Sequence, residues 1–188
     1  ENKRAIMSWK PYQQRIAEDN ELLTQFSHHK CKGIAVICGA VSGNIEVIDV
    51  DLKNDVTGTL WERLREAIGS DLLQRLYAVF TKSGGYHLYY RCEVIDGSIK
   101  LASRPATEDE LKATPHVKQI VLIETRGEGG YVVAPPTKGY QKKGEFNIPV
   151  LTLDERDTLL SSCRLFNEIV EEVKVTRRDS EVSGFAKT

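Results

Sequence analysis

The stretch Ile45-Glu46-Val47-Ile48-Asp49-Val50-Asp51 constrains the fold more than any other part of the chain. It reads as a buried strand that ends in two carboxylates. Side chains two apart on a strand point the same way, so Asp49 and Asp51 project together beyond Ile45 and Val47. Like charges side by side repel, and one takes up a proton unless a cation holds both. Hard oxygen ligands of this kind suit Mg²⁺ or Mn²⁺, which leave positions open for water and phosphate. The alternative is a strand running out into solvent, where acidic residues are cheap. An isolated Asp-x-Asp is a weak signal, so the rest of the chain must decide.

With 188 residues, the chain can form one well-packed domain and a small appendage. At 40% hydrophobic and 28% charged, the composition is ordinary for a soluble globular protein. No apolar run approaches a membrane span, and no basic-then-apolar signal segment opens the chain. The first residue is Glu1 rather than Met, which reads as a trimmed start. Cys31, Cys38, Cys92 and Cys163 lie far apart with no C-x-x-C pair, and Cys38 and Cys92 sit in apolar runs as small hydrophobes. A reduced, cytoplasmic setting follows as the expectation. His28-His29-x-Cys31 could supply zinc ligands, but a fourth ligand is not evident. Net charge is −1, so a nucleic-acid partner would have to meet local basic patches.

Several elements can be placed along the chain. Pro11 suits the first turn of a helix running to about Ser27, with Ile16, Leu22, Leu23 and Phe26 inward. Trp9, just before it, is expected to rest on the core, and Lys3, Arg4 and Lys10 form a basic opening. Gly33 to Gly39 reads as a buried strand, joined through Val41-Ser42-Gly43-Asn44 to the acidic strand as a hairpin. Thr59 to Ile68 is predicted helical, with Leu60, Leu64 and Ile68 inward and Leu72, Leu73 and Leu76 continuing that surface. Tyr77 to Lys82 and Tyr86 to Arg91 are predicted strands about the tight turn Ser83-Gly84-Gly85. Alternation puts His87, Tyr89 and Arg91 on one face, and Leu88 and Tyr90 on the other.

Residues 93–119 are polar and least informative, apart from a capping box at Thr107 to Glu110 whose helix Pro115 stops. Gln119 to Glu124 is a predicted strand with a carboxylate at its end. Gly127-Glu128-Gly129-Gly130 turns it into Tyr131 to Ala134, which Pro135-Pro136 ends. A second capping box at Thr152 to Glu155 opens a closing helix over about 153–173, with Leu159, Leu160, Cys163, Phe166, Ile169, Val170 and Val173 at helical spacing. The domain is therefore expected over 1–173, with 174–188 a polar tail.

These features form a constellation. One strand ends in Asp49-x-Asp51, a second carries His87 just after a glycine turn, and a third ends in Glu124 with Arg126 on the same face. Three carboxylates on neighbouring strands can clamp two divalent cations for in-line displacement at phosphorus. The glycine turn exposes backbone N–H groups and permits close approach of a phosphate, which His87, Lys82 and Arg126 could bind and neutralise.

Ile48-Asp49-Val50-Asp51, Thr81-Lys82-Ser83-Gly84-Gly85-Tyr86-His87-Leu88-Tyr89 and the run from Ile123-Glu124-Thr125-Arg126 to Pro135-Pro136-Thr137 resemble the three signatures of the bifunctional primase-polymerase domain, a branch of the archaeo-eukaryotic primase superfamily. The resemblance spans residues 3 to about 140. It implies an α/β (α+β) fold with one half like an RNA-recognition sheet backed by helices. It implies Asp49, Asp51 and Glu124 as ligands of two Mg²⁺ or Mn²⁺ ions, and Lys82, Ser83, Gly84, Gly85, His87 and Arg126 about the triphosphate of a dNTP or NTP. Glu124 departs from the aspartate usual at that position in the family.

The implied activity is template-dependent nucleotidyl transfer, as a DNA primase or polymerase, in replication of a plasmid, phage or other mobile element. The implied partners are a single-stranded or primed DNA template and a helicase or other domain beyond the tail, with no membrane. Two rivals remain: a metal-dependent nuclease or phosphodiesterase using the same carboxylates, and a non-catalytic nucleic-acid-binding module, which would not need Asp49, Asp51 and Glu124 to converge. The sequence leaves open sugar preference, primer need and template contacts, for which the basic opening and Lys138, Lys142 and Lys143 are candidates by charge alone.

Overall fold

The computed structural model describes residues 5–144 and 147–169. In chain order, α1 (Asp19–Ser27) precedes β1 (Ile34–Ile37) and β2 (Ile45–Val50), and α2 (Leu60–Ile68) and α3 (Ser70–Arg75) precede β3 (Tyr77–Phe80) and β4 (Tyr86–Cys92). Then come β5 (Lys100–Pro105), α4 (Glu108–Ala113), β6 (Gln119–Arg126), β7 (Tyr131–Ala134), β8 (Gln141–Lys143), β9 (Val150–Leu151) and α5 (Leu153–Arg164). The main sheet runs β5-β6-β2-β4-β3-β8, with β9 parallel to the end of β4. At its centre, β6-β2-β4-β3 with α2 and α3 between the first two strands in sequence is the RNA-recognition-type arrangement, so the chain is α+β as expected.

β2 has a partner on each edge, β4 and β6, both antiparallel. That central place explains a correction. The expected hairpin between β1 and β2 does not form, because neither edge of β2 is open. β1 instead pairs with β7 in a separate two-stranded ribbon, register Ile34 to Ala134. A single bridge from Gly39 to Ile45 marks where the chain passes from ribbon to sheet.

The two faces of the sheet bury different things. Ile48, Val50, Leu88, Tyr90 and Ile123 meet Leu60, Leu64 and Ile68 of α2 and Leu159, Leu160 and Cys163 of α5. Each such side chain contributes about 1.5–3 kcal/mol by leaving water. The opposite face carries Ile45, Val47, Val79 and Tyr89, covered by Cys38, Val132 and Tyr140 around the β1–β7 ribbon. A charge is buried on the helix side as well. Glu46, wholly enclosed, accepts from Arg156 Nε at 2.6 Å and Nη2 at 3.0 Å and from the Tyr90 hydroxyl at 2.6 Å. Arg156 also reaches Asp96 at 2.8 Å. Hydrogen bonding to Glu46 raises the Arg156 pKa, and burial pushes the Tyr90 hydroxyl up.

Both ends of the chain correct the sequence reading. The long helix expected from Pro11 is broken: a 3-10 turn, Lys10–Gln13, gives way to irregular chain before α1 starts at Asp19. Glu18 and Glu21 form the box that starts α1, and Arg15 pairs with Glu21 at 2.6 Å across the break. Ile16, Leu23 and Phe26, expected inward, are 77%, 69% and 55% exposed. The 3-10 turn is instead tied down by Gln13, whose Nε2 donates to the Gly129 carbonyl at 2.6 Å. Trp9 is half-buried with its ring edge-on to Tyr131, 4.7 Å between centroids.

The closing helix starts at its capping box as expected but stops at Arg164. Phe166 is buried in the turn that follows, and Ile169 lies outside the helix. Val170, Val173, Lys3, Arg4 and the polar tail fall outside the described residues. The uninformative stretch before α4 contains β5, whose Leu101, Ala102, Ser103 and Arg104 are buried. No helix among the described residues is long and apolar enough to cross a membrane.

Replacing Arg156 by Met leaves Glu46 enclosed without its guanidinium. Breaking a buried pair from one side should lower unfolding free energy by about 3–5 kcal/mol. Denaturant unfolding followed by tryptophan fluorescence checks this; a loss under about 1 kcal/mol would mean that Glu46 finds another partner.

Candidate active site

The site is a consequence of register. In the antiparallel ladders, Asp49 stands opposite His87 of β4 on one side and opposite Glu124 of β6 on the other. Directly opposed residues share a face, so the three side chains form a row across the sheet. Asp51 follows just past the end of β2, where its N–H donates to the Leu122 carbonyl at 2.9 Å. Carboxylate oxygens of Asp49, Asp51 and Glu124 all lie within 4.8 Å of one another, and each residue is partly buried.

Basic groups surround this trio. Arg126 Nη2 contacts Glu124 at 2.5 Å, and its Nε lies 3.7 Å from Asp49. Lys53 Nζ lies 3.1 Å from Asp51 Oδ1, and His87 Nε2 lies 3.5 Å from Asp49 Oδ1. The donor set fits Mg²⁺ or Mn²⁺, since all three acidic ligands are hard oxygens and their spacing lets a small cation bridge them. The zinc candidates fare differently. His28 and His29 stack on each other at 4.6 Å, and among the described residues the acidic trio is the one group of metal-ligating side chains brought together.

The glycine turn is built around Thr81. Its hydroxyl accepts from the Gly85 N–H at 3.0 Å, and its carbonyl accepts from the Gly84 N–H at 3.0 Å. Both glycine N–H groups are thus used inside the turn. This corrects the expectation that they face outward; what the turn presents is the Ser83 hydroxyl, 3.2 Å from that of Thr81, and a surface with little bulk. Glycine is required at 85, where a Cβ would fall 2.0 Å from the Val50 carbonyl oxygen. Gly84 has φ +88°, left-handed backbone that favours glycine.

His87 is buried, with Tyr89 and Tyr140 behind it at 6.1 and 5.9 Å between ring centroids. Lys82 is exposed, its stem lying against Gly139. Lys138, Lys142 and Lys143 are exposed too, the last two on the edge strand β8.

Of the residues named from sequence, the structure brings Asp49, Asp51, Glu124, His87 and Arg126 into one group and sets the Ser83-Gly84-Gly85 turn against the end of β2. Sequence reasoning passed over Lys53, Thr81 and Tyr140. Lys53 carried the clearest signal, a cation two residues beyond the second carboxylate.

The family model for bifunctional DNA primase/polymerase, N-terminal domain (Prim-Pol), matches residues 1–151. The chain belongs to the Prim-Pol family. No curated protein matches it. The Prim-Pol match contains every member of the cluster and ends at β9, just before α5. Membership implies nucleotidyl transfer with DNA and nucleotides as substrates and a divalent metal, and the acidic trio is a donor set able to hold one.

Gly85→Ala should be destabilising by about 1–3 kcal/mol, because the methyl group has backbone rather than a yielding side chain in front of it. Denaturant midpoints of the two proteins measure this, and an unchanged midpoint would show that the turn is free to move away from β2.

Proposed function

We propose that this Prim-Pol domain adds nucleotides to a DNA strand on a single-stranded or primed template, using two Mg²⁺ or Mn²⁺ ions held by Asp49, Asp51 and Glu124. The convergence of these three carboxylates at the end of the central strand carries the reading. A 3′-hydroxyl, or the hydroxyl of a first nucleotide, attacks the α-phosphorus of the incoming triphosphate. A new P–O bond forms, the bond to the bridging oxygen of the β-phosphate breaks, pyrophosphate leaves and the hydroxyl proton passes to solvent. The divalent ions, when bound, make the attacking oxygen more acidic and offset the charge on the phosphates.

The chain's own residues position and neutralise. Asp49 and Glu124, opposed across β2 and β6, fix the cations on a rigid part of the sheet rather than on a loop. His87 donates from Nε2 to a phosphate oxygen, its ring held by the tyrosines behind it. Arg126 exchanges its carboxylate partners for phosphate, and Lys82 and the Ser83-Gly84-Gly85 turn border the triphosphate. No side-chain nucleophile is needed, because charge neutralisation and alignment supply the catalysis. Glu124 has one more methylene than aspartate, which alters its reach but not its donor chemistry. The setting is the reducing cytoplasm, consistent with four free thiols.

Incubation with a single-stranded template, labelled nucleotides and Mn²⁺ or Mg²⁺, with and without a primer, tests this. Product and pyrophosphate should appear together, and Asp49→Ala or Asp51→Ala should lower the rate by about 10²-fold or more while the protein stays folded. His87→Ala should act mainly on nucleotide KM. Full activity in either aspartate variant, or strand cleavage without pyrophosphate, would refute the reading.

A further inference from the structure

Lys53 follows the acidic strand on a 3-10 turn, Leu52–Asn54, with its ammonium 3.1 Å from Asp51 and about half exposed at 51%. Exposed pairs of this kind contribute little to stability, so a purely structural role explains little of how firmly the turn is held. Asn54 N–H donates to the Asp51 carbonyl at 2.9 Å, and Asn54 Nδ2 donates to the Val121 carbonyl at 2.8 Å. From behind, Arg104 Nε donates to the Asn54 carbonyl at 2.7 Å. Arg104 is itself buried and locked by two 2.7 Å bonds to Glu110. The backbone that carries Lys53 is therefore clamped on both sides, while its side chain is half exposed and, among the described residues, held only by the exposed pair with Asp51.

The clamped turn also adjoins the glycine turn. A Cβ on Gly85 would meet the Leu52 nitrogen at 3.3 Å as well as the Val50 carbonyl. Lys53 thus stands where the carboxylate trio and the Ser83-Gly84-Gly85 turn come together.

We propose that Lys53 is a phosphate-binding residue for the incoming nucleotide, paired with Asp51 before substrate enters and turning to the terminal phosphates when it does. The inference rests on the proposed function above and adds a residue to it. With the oxygens of Asp51 engaged by a divalent cation, an ammonium beside them is repelled rather than held. A triphosphate brings several negative charges to the same place, and the flexible four-carbon stem lets the ammonium follow them without moving the backbone. As a ligand of the β- and γ-phosphates, Lys53 would be indifferent to a monophosphate, which lacks them.

The test is equilibrium binding of an α,β-imido nucleoside triphosphate, which cannot react, and of the corresponding monophosphate. Both are measured with Mn²⁺ on the full chain, in ribo and deoxy forms. Lys53→Ala should weaken triphosphate binding about tenfold or more, leave monophosphate binding and the melting temperature unchanged, and be largely rescued by Lys53→Arg. Unchanged triphosphate affinity in Lys53→Ala, beside a wild type whose binding is metal-dependent, would overturn the role of Lys53 alone. Equal weakening for both nucleotides would overturn it as well. A wild type with no metal-dependent triphosphate binding would overturn the proposed function, and this inference with it.

Discussion

Three carboxylates with oxygens inside 4.8 Å of one another repel strongly, and the rest of this structure is arranged around that repulsion. At such a distance each charged pair costs roughly 3 kcal/mol at an effective dielectric constant of about 20. The sheet register imposes it: Asp49 cannot move away from Glu124 without breaking the β2–β6 ladder, nor from His87 without breaking β2–β4. The protein answers with basic side chains at the rim, Arg126 on two of the acids and Lys53 on the third. These side chains are charge compensation that substrate can replace. On the proposed reading a divalent cation would take the carboxylates and the phosphates the basic groups, so every charge would keep a partner through the exchange.

The back of β2 is arranged by the same principle with the opposite outcome. Glu46, one face away from Asp49, meets Arg156 and Tyr90 in a site closed to water, and no exchange is open to it. Arg156 comes from α5, beyond the end of the Prim-Pol match. The helix nevertheless neutralises a charge on the strand that carries Asp49. One strand thus has an enclosed ion pair on its helix side and a partly exposed acid with basic neighbours on the other.

Much of this was legible in the sequence because short-range pattern decides it. Period-two alternation set the faces of β2 and β4, capping boxes at Thr107 and Thr152 marked helix starts, and glycines marked the turn before His87. What failed depended on distant partners. Nothing local says that β1 pairs with a strand near residue 132 rather than with its neighbour, because the reason is that β6 occupies the other edge of β2. The apolar residues of α1 suggested a buried face, but no layer covers them among the described residues. In the site, the acidic trio was visible as spaced carboxylates. The inward use of the Gly84 and Gly85 N–H groups was not, since it depends on a Thr81 hydroxyl that pattern alone does not orient.

On the proposed reading, the register of β4, β2 and β6 creates a two-cation site. Mn²⁺ binding in the presence of an unreactive nucleoside triphosphate, counted by electron paramagnetic resonance, tests it most directly. Two bound Mn²⁺ per chain are expected, and loss of both from Asp49→Asn, because Asp49 stands directly opposite Glu124 and two residues before Asp51. An Asp49→Asn protein that still binds Mn²⁺ as the wild type does, or a wild type that binds none, would contradict it.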